Sequence, residues 1–340
     1  MPSCLAAITW NVSPIIAEIG PLLLRWYGVL FALGFVIGSF VLTHIYRSEG
    51  VRPYWVDVIT FYMVVGTVLG ARLGHVFFYD WDSYKNQPLE ILKVWHGGLA
   101  SHGATIGILL ATFIFSLRNK FDYLWVLDRI VIVVAIGGAC IRLGNLMNSE
   151  IVGKPTDVPW AFVFPHDAEH LQRFAAGQPV PAGSMMVEVH KAEEVAYNAV
   201  PVRKVEDVTY DVTPIIGPVS PLADVAVPRH PTQIYESLFC VFLLTLLYGL
   251  WNKYKEKTPR GLLFGLFVVL LFSFRFLVEY LKENQVSFEN TQWLNQGQRL
   301  SVPFILIGLG VLLWTALHPR NYGYAPRDLA EEEALAAAKK

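Results

Sequence analysis

Seven runs of mostly apolar residues dominate this chain, at roughly 22–44, 56–78, 97–116, 124–146, 232–251, 261–281 and 301–318. A bilayer hydrocarbon core of about 30 Å is crossed by about 20 helical residues, so runs of this length and number predict a multi-pass membrane protein. Composition agrees, since 54% of the residues are hydrophobic and only 16% charged, against about 25% charged in soluble domains. A formal net charge of -1 supplies no basic field, which excludes nucleic acid as a partner. The third run is the least apolar, opening with Gly97, Gly98, Ser101, His102 and Gly103 before Ile108. The residues ahead of the first run hold no Lys or Arg, so that run is expected to stay as a helix rather than be cleaved as a signal peptide. Cys4, Cys140 and Cys240 are odd in number, and two lie in apolar runs, so no disulfide framework is expected.

Orientation follows from Lys and Arg in the short connections, because cytoplasmic loops carry the excess. One side holds twelve: Arg47, Arg52, Arg118, Lys120, Lys253, Lys255, Lys257, Arg260, Arg320, Arg327, Lys339 and Lys340. The other, leaving out the long connection, holds four: Lys85, Lys93, Lys282 and Arg299. The amino terminus is therefore expected outside and the carboxyl terminus in the cytoplasm. The expected fold is an all-α integral membrane protein of about seven transmembrane helices with a small mixed extracytoplasmic subdomain. Residues 1–146 form the first four spans, 147–229 the extracytoplasmic insert, 230–318 the last three spans, and 319–340 a cytoplasmic tail whose end, Glu331 to Lys340, reads as a frayed helix. Within the insert Met185 to Val189 and Val208 to Val212 read as strands. The pairs Gly70/Gly74, Gly103/Gly107 and Gly261/Gly265 read as places where helices approach closely.

An ionisable side chain at bilayer depth costs about 2.5 to 3.5 kcal/mol or more, so it tends to face an interior cavity and to be functional. Asp128 and Arg129, near the cytoplasmic start of the fourth run, read best as a snorkelling or structural pair. Arg142, Arg275, His102, His230 and Glu150 fall toward the outer side and suit one outward-facing site. Arg142, Asn145 and Ser149 share a helical face, with Glu150 close by. Arg275 and Glu279 are four residues apart, which fits either a mutual ion pair or a site. A guanidinium matches phosphate oxygens in a two-pronged fashion, so two arginines at depth imply an anionic phospholipid head group. No Walker loop, HExxH or GxSxG appears, and no acidic cluster has metal-ligand spacing, so neither metal nor cofactor is expected.

The segment RLGNLMNSEIVGKPTDVPWAFVFP (142–165) resembles the signature region of the bacterial prolipoprotein diacylglyceryl transferases. RWYG (25–28), GARLGHVFFY (70–79), WHGGLASHGATIG (95–107), PRHPTQIYE (228–236) and FRFLVEY (274–280) resemble that family's other motifs in the same order. The resemblance implies transfer of a diacylglyceryl group from phosphatidylglycerol to the lipobox cysteine of a prolipoprotein signal peptide, releasing glycerol 1-phosphate, as the first step of lipoprotein maturation. It implies a monomer in the bacterial cytoplasmic (inner) membrane, among membrane lipid, with its active site toward the extracytoplasmic side. Carried over by motif, His102, Arg142 and Arg275 are catalytic, while Tyr27, Asn145, Glu150 and Gly153 bind substrate; Arg72, His230 and Glu279 are further candidates for substrate binding. The motif holding His230, Gln233, Tyr235 and Glu236 fits bracing of helices equally well. The chain departs from the pattern at Leu271, where a tyrosine is common, at Ser149, where a glycine is common, and at Ser101 and Ala104 beside His102. A lipid transporter, expected to show inverted repeats that are not evident here, and a lipid-binding scaffold are the rival readings.

Overall fold

The computed structural model describes residues 7–19, 22–78, 80–85, 88–93, 100–167, 170–175, 181–191, 202–205, 208–214, 222–283 and 294–318. Strands β1 (Ile8–Thr9), β2 (Ile15–Ile19) and β3 (Leu22–Arg25) precede helices α1 (Trp26–Ser48), α2 (Tyr54–Phe78), α3 (Trp81–Tyr84), α4 (Ser101–Asn119) and α5 (Tyr123–Met147). The insert carries β4 (Phe162–Val163), β5 (Gln172–Ala175), β6 (Met185–Lys191), β7 (Val202–Val205), β8 (Val208–Pro214) and β9 (Leu222–Ala226). Helices α6 (Thr232–Tyr254), α7 (Leu262–Val278) and α8 (Gln296–Leu317) follow. The expected tail, 319–340, lies outside the described residues.

Six of the described helices, α1, α2, α5, α6, α7 and α8, are long and apolar enough to cross a membrane. The 19-residue α4 is not among them; it begins at Ser101 and carries the polar, glycine-containing start of the third run. The first helix begins at Trp26, later than the apolar run, because Leu22–Arg25 pairs antiparallel with Ile15–Ile19 instead. The last begins at Gln296, earlier than the run, for a capping reason. Asn295 Oδ1 accepts from Gln298 N at 2.9 Å and Gln298 Oε1 accepts from Asn295 N at 3.2 Å, a reciprocal box that satisfies two otherwise unpaired donors.

The chain divides into two compact units. One comprises residues 35–136, 243–269 and 306–340. Here Gly66, Gly70 and Gly74 of α2 meet Gly103 and Gly107 of α4 backbone to backbone. A methyl group on Gly74 would lie 2.7 Å from Gly103 Cα, and one on Gly70 2.8 Å from Gly107 Cα. This is the close approach that the small-residue spacing predicted. The larger side chains flanking the glycines, including Phe61, Leu69, Leu73, Phe77, Ile106 and Leu110, wall an apolar groove of about 630 Å³. Elsewhere in this unit charge is buried. The Arg129 guanidinium, over the Trp125 ring at 4.5 Å, donates to Glu49 at 2.9 and 3.0 Å, and Trp251 Nε1 donates to the same carboxylate at 2.5 Å. Asp128 accepts from Gly261 N at 2.7 Å and Phe264 N at 2.9 Å, capping α7. Asp128 and Arg129 are thus structural, and both are fully buried rather than snorkelling.

The other unit comprises residues 1–34, 137–242 and 270–305. A five-stranded sheet has the order β5-β9-β6-β8-β7, with every neighbouring pair antiparallel. Both segments expected to be strands fall in it, as β6 and β8. β1 pairs parallel with β4. Trp10 stacks on Phe162 and donates through Nε1 to Leu146 O at 2.9 Å, so the amino-terminal segment is tied to the end of α5.

The Glu49 carboxylate has no aqueous alternative to its partners. Arg129→Met is expected to destabilise the protein by about 3 to 5 kcal/mol, because it strands that carboxylate. Gly107→Leu is expected to force α2 and α4 apart, by overpacking worth about 1 to 3 kcal/mol or more. Thermal unfolding in detergent checks both.

Candidate active site

The signature segment starts in the last turn of α5 and leaves it through a strained turn. Arg142 and Asn145 are one turn apart, and Arg142 Nη1 donates to Asn145 Oδ1 at 3.4 Å. Asn145 Nδ2 donates to Glu150 Oε2 at 3.1 Å and Asn148 Nδ2 to Glu150 Oε1 at 3.2 Å. Two amides thus hold this carboxylate in place. On either side of Glu150 the backbone is left-handed, with φ 53° at Ser149 and 57° at Ile151. A β-branched residue there is a steric outlier, which persists only where neighbours hold it. The start of α6 provides the hold. Gln233 Nε2 donates to Glu150 O at 2.6 Å and Thr232 Oγ1 to Ile151 O at 2.8 Å. The left-handed φ also accounts for glycine being at home where this chain has Ser149.

Two glycines of the segment are explained by packing. The Tyr27 ring lies on Gly144, where a methyl group would meet its Cδ2 at 2.7 Å. Tyr27 is also within electrostatic reach of Glu150 and Arg142. At Gly153 a methyl group would lie 2.6 Å from both Cβ and O of His230 and 2.9 Å from Leu281 O. Three chain segments meet at that point: Gly153 N donates to His230 O at 3.0 Å and Lys154 N to Leu281 O at 2.7 Å.

The charges converge on Glu236, which is 6% exposed. Arg142 Nε approaches its Oε2 at 3.2 Å, an ion pair outside hydrogen-bond geometry that leaves Oε2 without a donor. Lys282 Nζ donates to Oε1 at 2.8 Å and lies 3.6 Å from Glu279 Oε2. Stacking of Phe239 on Phe274, with centroids 3.8 Å apart, sets α7 against α6 one residue before Arg275, and the Arg275 charge acts on Glu236. Among the described residues Arg275 makes no hydrogen bond or ion pair of its own. Of the two arrangements open to the Arg275 and Glu279 spacing, the mutual ion pair is not formed, and Lys282 is the cation beside Glu279. Burial of Lys282 lowers its pKa from the ordinary lysine value; Glu236 and Glu279 oppose that shift and Arg142 adds to it.

His230 stands at the edge of this group. Trp160 Nε1 donates to the Tyr235 hydroxyl at 2.8 Å, and that hydroxyl lies 3.2 Å from His230 Nδ1, within hydrogen-bond distance. Burial lowers the His230 pKa, which favours a neutral ring. On the same helical face, Gln233 ties α6 to Glu150 and Ser237 braces it against α5, Ser237 Oγ donating to Ala139 O at 3.2 Å.

This unit therefore brings together Tyr27, Arg142, Asn145, Glu150, Gly153, His230, Arg275 and Glu279. His102 and Arg72 belong to the other unit. His102 is exposed in the first turn of α4, edge-on to Phe78 with centroids 6.4 Å apart. Arg72 is 2% exposed; its Nε donates to Ile91 O at 2.9 Å and its Nη2 to Glu90 O at 2.7 Å, with the Tyr84 ring 4.9 Å away. That side chain ties α2 to the carbonyls of Glu90 and Ile91. Among the described residues no group of three or more His, Cys, Asp or Glu could hold a metal ion. Lys282 was missed by sequence reasoning, which counted it only as a loop charge; its place three residues after Glu279 was the available signal.

Residues 14–314 match the prolipoprotein diacylglyceryl transferase family. The chain belongs to that family. Curated relatives agree along nearly their whole length. The phosphatidylglycerol–prolipoprotein diacylglyceryl transferase of Chloroherpeton thalassium is 38% identical over 306 residues, covering 89% of this chain and 92% of the relative. That of Tolumonas auensis is 38% identical over 312 residues, covering 90% and 97%, and that of Bacteroides fragilis 35% identical over 321 residues, covering 91% and 95%.

Because backbone atoms surround Gly153, Gly153→Ala is expected to cost about 1 to 3 kcal/mol of stability. Ser149→Gly, which relieves a left-handed residue, is expected to leave the melting temperature at or above that of the parent. Thermal unfolding of the two variants side by side tests the assignment of strain and packing in this segment.

Proposed function

We propose that this protein transfers the diacylglyceryl group of phosphatidylglycerol to the lipobox cysteine thiol of prolipoproteins, forming a thioether and releasing glycerol 1-phosphate. The observation that carries this reading is Arg142 and Arg275 in one charged cluster of a family member. Among the described residues Nη2 of Arg142 and the whole Arg275 guanidinium are free of hydrogen bonds. A phosphodiester is the ligand that such planar donors fit.

In the reaction the thiol sulfur attacks the glyceryl carbon bearing the phosphate ester. The C–S bond forms as the C–O bond breaks, and the bonding pair leaves with the phosphate of glycerol 1-phosphate. A cysteine thiol, of pKa about 8.5, is mostly protonated at neutral pH, and an imidazole, of pKa about 6.5, is suited to take its proton. His102 is assigned that role. Arg142 and Arg275 hold the phosphate and stabilise charge growing on the departing oxygen, where scarcity of water strengthens the effect. Asn145, Glu150 and Tyr27 orient the head group and Arg142, with His230, Gly153 and Glu279 shaping their surroundings and Arg72 the other unit. The lysine and arginine asymmetry of the connections supports seven crossings, with α4 as the seventh, and an amino terminus outside. With family membership it also supports a multi-pass protein of the bacterial cytoplasmic membrane whose site faces the extracytoplasmic side.

Purified His102→Ala, Arg142→Ala and Arg275→Ala proteins, assayed with phosphatidylglycerol and a lipobox peptide, are each expected to lose roughly 100-fold or more in rate. Near wild-type lipidation by all three overturns the assignment.

A further inference from the structure

We infer that Lys282 is a positioning residue of the lipid-binding site, holding Glu236 so that the charges of Arg142 and Arg275 remain available to an anionic phosphodiester. This rests on the phosphatidylglycerol reading above.

The argument is one of charge balance in a buried cluster. Arg142, Arg275 and Lys282 share this region with Glu150, Glu236 and Glu279. With all six ionised the formal charges cancel, and without the ammonium the cluster is negative and repels a phosphodiester. The carboxylates are not equivalent. Glu150 is held by the amides of Asn145 and Asn148, and Glu279 faces Lys282. Glu236 is the carboxylate on which both arginine charges act, and its attraction to them is strong because little water screens it. Lys282 supplies the hydrogen bond to Glu236 Oε1, at 2.8 Å. Take it away and the carboxylate is free to close on Arg142, whose Nε is already 3.2 Å from Oε2. The arginine is then neutralised by the protein instead of by the lipid.

The backbone fixes Lys282 in this role. Gly153 and Lys282 form a β-bridge, and Glu283 N donates to Val152 O at 3.4 Å. The chain leaving α7 therefore docks on the signature segment, at the glycine whose missing side chain admits it. Lys282 itself is 3% exposed. The charged groups facing its ammonium are Glu236 from α6, Arg142 from α5 and Glu279 from the turn just before it.

Wild type, Lys282→Met, Lys282→Arg and the double variant Lys282→Met/Glu236→Gln are compared in lipidation of a lipobox peptide, with phosphatidylglycerol varied and pH scanned. Lys282→Met is expected to lose about tenfold or more in kcat/KM, chiefly through a raised KM for phosphatidylglycerol. Removing the carboxylate as well is expected to restore activity several-fold over the single variant, because Glu236 then carries no charge with which to capture Arg142. Lys282→Arg is expected to keep activity and to extend it to higher pH, since a guanidinium does not deprotonate there. An unimpaired Lys282→Met, or a double variant no better than the single one, overturns the inference. If Lys282→Met does not fold, the alkaline limb decides: a Lys282→Arg limb superimposable on the wild type overturns it. No turnover by the wild type overturns the activity reading itself, whereas wild-type turnover with an indifferent Lys282 overturns only this inference.

Discussion

A carboxylate taken out of water must be met by cations or donors, and in one unit of this protein that requirement falls on Glu236. Arg142 from α5 and Lys282 from the chain just after α7 share it. One buried negative charge thereby links three helices that are far apart in sequence. The consequence reaches beyond stability. Arginines fully neutralised by protein carboxylates would have nothing left for a lipid phosphate, and arginines with no carboxylate nearby would be costly to keep in an apolar setting. Sharing Glu236 with a lysine resolves both demands.

Glycines and strained residues make this arrangement possible. Gly144 admits the Tyr27 ring and Gly153 admits His230 and Leu281, so segments from four parts of the chain reach a small volume. Glu150 sits between two left-handed residues, a conformation that hydrogen bonds from Thr232 and Gln233 hold in place. The local backbone strain is offset by contacts made from another helix, as is common where a side chain must be aimed.

The second unit meets the same physical demand differently. Arg129, Glu49, Trp251 and Asp128 are buried, and their donors and acceptors are spent on one another and on the start of α7. Nothing comparable to the free Arg275 guanidinium remains among them. Buried charge is therefore not in itself the mark of a functional site here. What separates the clusters is whether donors are left unclaimed.

Much was legible in the sequence for a physical reason: the lengths of apolar runs and the spacing of glycines are local properties. Six long apolar helices, the contact of α2 with α4 and the strands at β6 and β8 all follow from such patterns, and motif order alone pointed to the family. Helix ends were less legible, because the first waited on pairing between β2 and β3 and the last on the reciprocal cap at Asn295. Partnerships between distant segments were not legible. Arg275 and Glu279 have ion-pair spacing, yet Lys282 is the cation beside Glu279; Arg72 lies within an apolar run, yet Nε and Nη2 donate to backbone carbonyls. The sequence by itself determined which charges had to be accounted for, since burying them in an apolar chain is costly. Only the tertiary structure decided which were spent inside the protein and which stayed free, because that depends on neighbours tens of residues away.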